Sequence, residues 1–399
     1  MFTKALSLPL FAVVLSAQPV IIKTSTIIDG KGKILTNQQL TIENGKISKI
    51  GPAKDKPTID LTGMTVMPGW IDTHVHATWY FNKEGRYETG PGRGSKTTPA
   101  EAVQFAEDNM RVTLMGGFTT VQSVGSPDDK DLRAKIAADK IPGPRLLTSL
   151  GSLNENSGDP ATLREKVRKF KADGADLIKL FATASIRDGG KMTMTVDQIN
   201  AICDEAKKVG LRAIVHAHAS DGAAASINAG CTSIEHGTFL DDKTLDLLVS
   251  HGTFFDPNFL VLHNYLDNKP KFLGIGNYNE EGFAYMEKGL PEVAAVLKRA
   301  RRHNAKIALG TDGVAGAHGR NAEEFIYRVK EGGDKPMEAI TSGTSVSAAS
   351  LGLSTQIGSI AEGMEADLVA TNGNPLDDIT NVRKVAFVMK HGKVYKGGK

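Results

Sequence analysis

Two histidines one residue apart, His74 and His76, follow a short apolar run over residues 64–71. Alternate side chains of a β-strand point to the same side, so a strand here would present both imidazoles on one face. Neutral imidazole is a good ligand for zinc and similar divalent ions. The pair therefore raises the hypothesis of a metal site whose other ligands lie elsewhere in the chain.

Side chains that could complete such a site occur at the ends of other apolar runs. The fourth run contains Lys179, the fifth contains His216 and His218, the sixth ends in His236, and the eighth ends in Asp312. A buried lysine cation in an apolar strand is costly without a partner, so Lys179 needs a particular explanation. The eight runs lie near Met67, Thr119, Arg145, Leu177, Arg212, Ser233, Thr253 and Lys306.

Helical segments between these runs predict an α/β fold. Thr98-Pro99-Ala100-Glu101 is a capping box with proline at the first helical position, and Thr195-Val196-Asp197-Gln198 opens another helix. Eight strand–helix units over residues 67–354 favour a (β/α)8 TIM barrel, in which functional residues lie at the C-terminal ends of the strands. The alternative is a doubly wound open sheet, which a Gly-x-Gly-x-x-Gly turn after the first strand would favour; the sequence has none there.

The two ends of the chain have a different pattern. Residues 18–66 contain short alternating runs separated by Asp29-Gly30 and Asn44-Gly45, and Asn-Gly between apolar runs is a strong hairpin signal. Residues 355–399 show similar runs with glycine turns. We therefore expect both ends to pair into one small β-sandwich domain.

Composition excludes several classes of protein. Of the 399 residues, 40% are apolar and 23% are charged, which is typical of a globular protein. The net charge is +3 and the sequence contains no long basic run, so nucleic-acid binding is not expected. The two cysteines, Cys203 and Cys231, cannot form a disulfide framework or a cysteine zinc site, and we expect two free thiols.

The first 17 residues resemble a secretory signal peptide. Lys4 precedes an apolar stretch from Ala5 to Leu15, and small residues follow. The pattern predicts an exported, periplasmic or secreted protein cleaved after Ala17, whereas the alternative is a buried first strand. No second candidate membrane span occurs, so no membrane partner is expected.

Longer motifs resemble the amidohydrolase superfamily. In particular, the chain is similar to the imidazolonepropionase-like branch, which contains Xaa-Pro dipeptidases (prolidases) and ochratoxinase-type amidases. The resemblance covers nearly the whole chain after residue 17. It is carried by the motifs MPGWIDTHVH, GFTTVQSVG, IPGPRLL, GADLIKLFAT, HAHASDGAAASINAGCTSIEHGT, GTDGVAGAHGRNAEE and IGSIAEGMEADLVATNGNPLDDI.

The resemblance implies a dinuclear metal centre with zinc as the expected ion. Lys179 matches the lysine that these enzymes carboxylate with carbon dioxide, and the resulting carbamate offers one oxygen to each metal and removes the buried cation. His218 is an alternative ligand to His216, but the family's two ligands are 20 residues apart, as are His216 and His236. His218 is therefore assigned to substrate. The implied metal ligands are His74, His76, Lys179, His216, His236 and Asp312.

The implied reaction is hydrolysis of an amide bond in a dipeptide or N-acyl amino acid, including ochratoxin-like amides. A metal-bridged hydroxide would attack, with Asp312 as proton shuttle. One alternative is a mononuclear cyclic-amide hydrolase of imidazolonepropionase type, against which Lys179 argues because a bridging carbamate needs two metals. A non-catalytic barrel is the other, and the complete ligand set argues against it. The expected partner is a small-molecule substrate, and homo-oligomerisation is left open.

The sequence departs from the family at residues 154–158, NENSG. Relatives usually have a longer loop there with a Gly-Gly-His-Gly type segment, and its histidine can hold the substrate carboxylate. That role must therefore fall to other side chains here. The candidate substrate-binding residues are His218, Arg187, His263, Tyr265 and His318.

Overall fold

The computed structural model describes residues 18–92 and 95–398. The predicted signal peptide over residues 1–17 lies outside this part of the chain. Eighteen strands are described: β1 Val20–Ile28, β2 Ile34–Glu43, β3 Lys46–Pro52, β4 Ile59–Pro68, β5 Trp70–Val75, β6 Tyr80–Phe81, β7 Tyr87–Glu88, β8 Phe118–Ser123, β9 Arg145–Thr148, β10 Ser152–Leu153, β11 Leu177–Phe181, β12 Arg212–Ala219, β13 Ser233–Phe239, β14 Phe254–Asp256, β15 Lys306–Ile307, β16 Leu368–Asn372, β17 Val385–Lys390 and β18 Lys393–Lys396.

Helices fill most of the connections between strands β5 and β16. Two begin as the sequence predicts: the capping boxes of Thr98 with Glu101 and of Thr195 with Gln198 are both formed. The helices are α1 Pro99–Met115, α2 Asp129–Ala137, α3 Pro160–Asp173, α4 Val196–Lys208, α5 Ser220–Asn228, α6 Asp242–His251, α7 Phe259–Asp267, α8 Lys269–Phe272, α9 Glu280–Arg302, α10 Glu323–Lys330, α11 Pro336–Thr341 and α12 Ser347–Ser350. No helix of the described ranges is both long and apolar enough to cross a membrane.

The central strands are parallel and form two sheets. One has the order β5-β8-β9 and the other β10-β11-β12-β13-β14-β15. Between the sheets, the amide of Thr73 donates to the carbonyl of Leu309 over 2.9 Å, and an isolated parallel bridge pairs Val75 with Gly313. This pairing is not one continuous ladder, so strand pairing does not confirm closure of the predicted barrel.

Both chain ends contribute to one seven-stranded sheet, with the order β18-β17-β16-β4-β1-β2-β3. The described residues therefore form a single sheet here, and the expected β-sandwich is not confirmed. Strand β4 pairs in parallel with β1 and antiparallel with β16, where Pro68 lies opposite Leu368. The apolar run near Met67 thus belongs to this sheet, and the strand carrying the first histidines begins at Trp70.

The expectation of two free thiols is wrong. Cys203 of α4 and Cys231, just before β13, form a disulfide with their Cα atoms 5.4 Å apart. Both are buried, because one helix packs against the turn that leads into the neighbouring strand. Two cysteines 28 residues apart gave no pattern in sequence from which to predict the bond.

Candidate metal centre and substrate cavity

The predicted ligands lie on five parallel strands, mostly toward their C-terminal ends, or in the segments that follow them. His74 lies near the end of β5, and Lys179 lies on β11. Strand β12 contributes His216, and β13 contributes His236 in register with Ala217. Asp312 follows β15, and its backbone φ is +48°. All six predicted ligands line one cavity.

The first ligand group is formed by His74, His76 and Asp312. Oδ1 of Asp312 lies 3.3 Å from Nε2 of His74 and 3.0 Å from Nε2 of His76. Nζ of Lys179 lies 3.4 Å from the same Nε2 of His74. Within the described residues, buried Oδ1 of Asp312 has no hydrogen-bond partner despite these short distances. A buried carboxylate oxygen that lies this close to two imidazole nitrogens and has no hydrogen-bond partner in the described part of the chain fits donors that share one cation, so these residues fit a metal ion.

A second group of nitrogen donors lies beside the first. His216, His218 and His236 can offer one ligand atom each, and those atoms lie within 4.8 Å of one another. His236 also belongs to a group with His74 and Asp312, so it lies between the two clusters. The chemistry of this donor set, imidazole with carboxylate, suits zinc or a similar divalent ion.

Burial keeps the imidazoles in the neutral form that binds metal. It lowers the pKa of His74 to about 3, with Lys179 adding to the effect. Burial likewise lowers the pKa of His76 to about 4, although Asp312 opposes it. The pKa values of His216 and His236 lie well below the ordinary value for the same reason. Neutral imidazole has a free lone pair, so no proton needs to leave before metal binds.

Lys179 and Asp312 respond differently to burial. Burial lowers the pKa of Lys179, although Glu235, Asp312 and Asp256 act in the opposite direction. Burial also tends to raise the pKa of Asp312, but the nearby His74, His76 and Lys179 outweigh it and hold that pKa below the usual range. Asp312 is therefore a carboxylate, and the ammonium group of Lys179 loses its proton more readily than that of an exposed lysine.

Hydrogen bonds behind the ligands fix several imidazoles. Nδ1 of His74 lies 2.9 Å from Oε2 of Glu235, and Nε2 of His216 lies 3.3 Å from the carbonyl oxygen of Ala184. Nδ1 of His218 lies 2.9 Å from Oγ1 of Thr238. These contacts leave the opposite ring nitrogen of each histidine for the cavity, as is usual behind metal-binding histidines.

The backbone around the site is constrained. His236, Asn258 and Asp312 all have positive φ, which is uncommon for residues other than glycine and is often found at functional sites. Asn258 Oδ1 accepts a hydrogen bond from the amide of His236 over 3.0 Å, which links β13 to the start of α7. Gly310 is required by close approach, since a Cβ there would lie 2.1 Å from Oδ2 of Asp256.

The cavity has a polar floor and a largely apolar wall. Trp79 stacks on His76 with 3.7 Å between ring centroids. Helix α7 supplies part of the wall, and its first turn is held by Glu324, which accepts from the amides of Phe259 and Leu260. Besides the six predicted ligands, the lining residues are Trp79, Phe181, Ser185, Ile186, Arg187, His218, Thr238, Pro257, Asn258, Val261, Leu262, Tyr265 and Val293.

Three of the five predicted substrate contacts line this cavity: His218, Arg187 and Tyr265. The guanidinium carbon of Arg187 lies 4.0 Å from the ring centroid of Tyr278 and 5.3 Å from that of Tyr265. Its Nε donates to Oδ1 of Asn277 over 2.9 Å. Burial opposes the charged form, but the two tyrosines raise the pKa of Arg187 overall. Arg187 is therefore a cation whose guanidinium is fixed in the wall of the cavity by these contacts.

The structure places the other two predicted contacts, His263 and His318, outside the cavity lining. His263 stacks on Tyr327 with 3.8 Å between centroids, and its Nε2 lies 3.1 Å from Glu331. His318 lies behind His76, with its Nε2 3.1 Å from the carbonyl oxygen of that residue. We therefore leave both out of the substrate site.

Comparisons with known proteins agree with this geometry. A family model described as the amidohydrolase family matches residues 65–395. Ochratoxinase from Aspergillus niger is 26% identical over 431 residues, covering 96% of this chain and 87% of the relative. Imidazolonepropionase from Caldanaerobacter subterraneus subsp. tengcongensis is 24% identical over 392 residues, covering 86% of each. The solved structure of a Xaa-Pro dipeptidase with bound methionine in the active site has a TM-score of 0.85 and 31% identity, covering 95% of this chain and 100% of that one.

Proposed function

This chain belongs to the amidohydrolase family, and we propose that it is a dinuclear metal-dependent hydrolase. Its substrate is a dipeptide or an N-acyl amino acid, including ochratoxin-like amides, and it cleaves the amide C–N bond. The observation that carries the proposal is the convergence of Lys179, four histidines and Asp312 on one cavity. Similarity to an ochratoxinase and to a Xaa-Pro dipeptidase supports the amide as the scissile group.

The residues divide into two metal sites. His74, His76 and Asp312 would hold one ion, and His216 and His236 the other, with zinc as the expected metal. Lys179 would serve both ions as a carbamate formed with carbon dioxide. Its burial supports this assignment, because burial lowers the pKa of the amine and so makes the neutral form, which reacts with carbon dioxide, easier to reach. When bound, the two ions would supply Lewis acidity and lower the pKa of water.

Asp312 moves the proton. It is buried beside His76 and remains ionised, so it can accept a proton as water attacks the amide carbonyl. The same carboxyl group then returns that proton to the nitrogen of the leaving amine. A positioned carboxylate that acts first as base and then as acid contributes about 10²–10⁴-fold to a rate.

Arg187 binds the free carboxylate of the substrate. Guanidinium is suited to carboxylate, and here it is held between Tyr278, Tyr265 and Asn277 before any substrate arrives. The bound methionine described for the Xaa-Pro dipeptidase structure is an amino acid, which supports recognition of such a group. Anchoring the carboxylate places the adjacent amide near Asp312 and the metal ligands, and this positioning lowers the barrier to reaction.

Metal content per chain tests the proposal against its alternatives. Protein loaded with zinc and freed of excess should hold two ions per chain, whereas a mononuclear cyclic-amide hydrolase would hold one and a non-catalytic barrel none. A screen of dipeptides, Xaa-Pro dipeptides, N-acyl amino acids and an ochratoxin-type amide would then identify the substrate. Cleavage of a cyclic imidazolone alone would contradict the proposal.

We also propose that the protein is exported. The motivating observations are the signal-like residues 1–17 and the disulfide between Cys203 and Cys231, since disulfides persist mainly in oxidising compartments. N-terminal sequencing of protein from the native host should find a chain that begins near Gln18. A chain that begins at Met1 would contradict export by cleavage.

A further inference from the structure

We infer that Glu235 is a positioning residue for the metal ligand His74, an inference that rests on the proposed metal function and adds a residue to it. Glu235 precedes His236 on β13, is buried, and does not line the cavity. Its Oε2 lies 2.9 Å from Nδ1 of His74, although the two residues are 161 positions apart in the sequence. No motif in the sequence marks Glu235 as part of the site.

The chemistry of the contact determines the tautomer of His74. A carboxylate can only accept hydrogen bonds, so at a pH where Glu235 is ionised Nδ1 of His74 carries the proton and donates it to Glu235. The lone pair is then on Nε2. That nitrogen faces Oδ1 of Asp312 at 3.3 Å and Nζ of Lys179 at 3.4 Å, where the first metal would bind. Without Glu235, the tautomer with hydrogen on Nε2 would compete and would bind no metal at that atom.

Glu235 is itself held by a buried polar network. Ser233 Oγ donates to Oε1 of Glu235 over 2.6 Å. Asp256 lies close enough to Glu235 that, together with burial, the Glu235 carboxylate raises the pKa of Asp256. Asp256 in turn accepts from Thr73 Oγ1 over 2.7 Å and from Arg328 Nη2 over 2.9 Å. Because Thr73 is the neighbour of His74, the network fixes both the carboxylate and the backbone that carries the imidazole.

Arg328 anchors the far end of this network. It is fully buried and also donates from Nε to Glu324 over 2.8 Å. A buried cation with two carboxylate partners is costly to disturb, so Asp256 cannot easily turn away from Glu235. The position of Glu235 is thus set by the protein before a metal binds, as expected of a residue that orients a ligand.

A metal-binding measurement tests the inference without substrate. Metal-free wild-type protein and the Glu235→Gln variant are titrated with zinc in competition with a chromogenic chelator. Partners that orient metal-binding histidines typically change metal affinity by about 10- to 100-fold, so one of the two zinc affinities should fall by that factor and the other should change little. Asp129→Asn is the matched control, because Asp129 is equally buried but bonds Thr148, outside the site. That control should keep both affinities within about twofold of wild type.

The outcomes separate this inference from the proposed function. Wild-type protein that takes up no zinc would contradict the proposed function. Wild-type protein with two sites and a Glu235→Gln variant of equal affinity would overturn the role of Glu235. Should the variant fail to fold, ¹⁵N spectra of histidine-labelled, metal-free wild type give the tautomer directly, with the His74 signal assigned by its loss in His74→Gln. A proton on Nδ1 supports the inference, and a proton on Nε2 overturns it.

Discussion

Oδ1 of Asp312 lies 3.0 Å from Nε2 of His76. Between two buried groups of opposite character, such a distance would normally mark a hydrogen bond, yet the geometry for one is lacking. Both atoms instead face a common point that His74 also faces. This relationship supports the proposed role of both side chains as ligands of one metal ion, with the Asp312 carboxylate available to take a proton from water.

Asp312→Asn should separate proton transfer from metal binding. The amide keeps the shape of the side chain and one oxygen donor, but it loses the basic carboxylate. We expect kcat to fall by about 10²-fold or more, because general base catalysis is lost. Metal analysis of the same preparation provides the control and should show most of the metal retained. A variant within tenfold of wild-type kcat would show that another group handles the proton.

Lys179→Ala should remove the proposed carbamate and with it most of the bound metal and activity. Lys179 is buried with its Nζ close to His74, so no other lysine can take its place without rearrangement. Short carboxylic acids or bicarbonate should restore part of the activity by occupying the space that the lysine side chain leaves. Lys306→Ala, which removes an exposed lysine at the start of β15, should leave both properties unchanged. Full activity of Lys179→Ala without additives would contradict the carbamate.

Arg187→Met should weaken recognition of a free carboxylate. For wild type, amidation of the substrate C-terminus should lower kcat/KM on the order of 10²-fold, since the charge-assisted contact is lost. In the variant, free-acid and amidated substrates should be cleaved at similar rates. His263→Gln is the matched control, because His263 lies outside the cavity and bonds Glu331. Equal rates for both substrates with wild-type enzyme would show that selectivity has another origin.

The Cys203→Ala/Cys231→Ala double variant should be less stable than wild type without a change in chemistry. The disulfide closes a loop of 28 residues. In the chain-entropy model, a loop of that size contributes about 3 to 4 kcal/mol to the free energy of unfolding. Denaturant titration of both proteins measures the difference, and kcat at low temperature should agree within about twofold. An unchanged unfolding midpoint would mean that the bond contributes little.

His318 should make metal-free protein sensitive to mild acid. Burial lowers its pKa to about 4, whereas the unfolded chain takes up a proton near the ordinary value of 6.5. Between these values the unfolded state binds more protons, so the free energy of unfolding decreases as the pH falls. The His318→Gln variant lacks the imidazole that takes up this proton. Between pH 6 and 4.5, the free energy of unfolding of the wild type should fall more steeply than that of the variant. The difference in slope should be about 1.4 kcal/mol per pH unit. Parallel curves from denaturant titrations in the presence of chelator would contradict this.

Residue chemistry made much of the site predictable from the sequence. The α/β fold of TIM-barrel type follows from the alternating runs and is supported by the family match and by the similar solved structure. Lys179 and the histidines were identifiable because polar side chains stand out in apolar strands. Glu235 was not, since its role depends on a contact between β13 and β5 that only the folded chain creates.

Helix orientation explains why one of the two misplaced substrate contacts, His263, does not reach the cavity. His263 and Tyr265 are both on α7 and only two positions apart. Side chains two positions apart on a helix are rotated by about 200° about the helix axis and so lie on nearly opposite sides. Only one of the two can therefore face the cavity. Tyr265 faces it, and His263 packs against Tyr327 on the other side. Without the position of the helix axis, the sequence could not distinguish them.

The sheet shared by the two chain ends has a consequence for biosynthesis. Strand β4 ends at Pro68, but its antiparallel neighbour β16 begins only at Leu368. While the ribosome makes the residues between them, the hydrogen-bonding edge of β4 has no partner, and unpaired edges favour aggregation. The C-terminal strands must therefore be made before β4 can pair with β16 and the seven-stranded sheet is complete. A nascent chain held unfolded until synthesis ends would avoid that exposure, whereas truncation before residue 368 should yield aggregated protein.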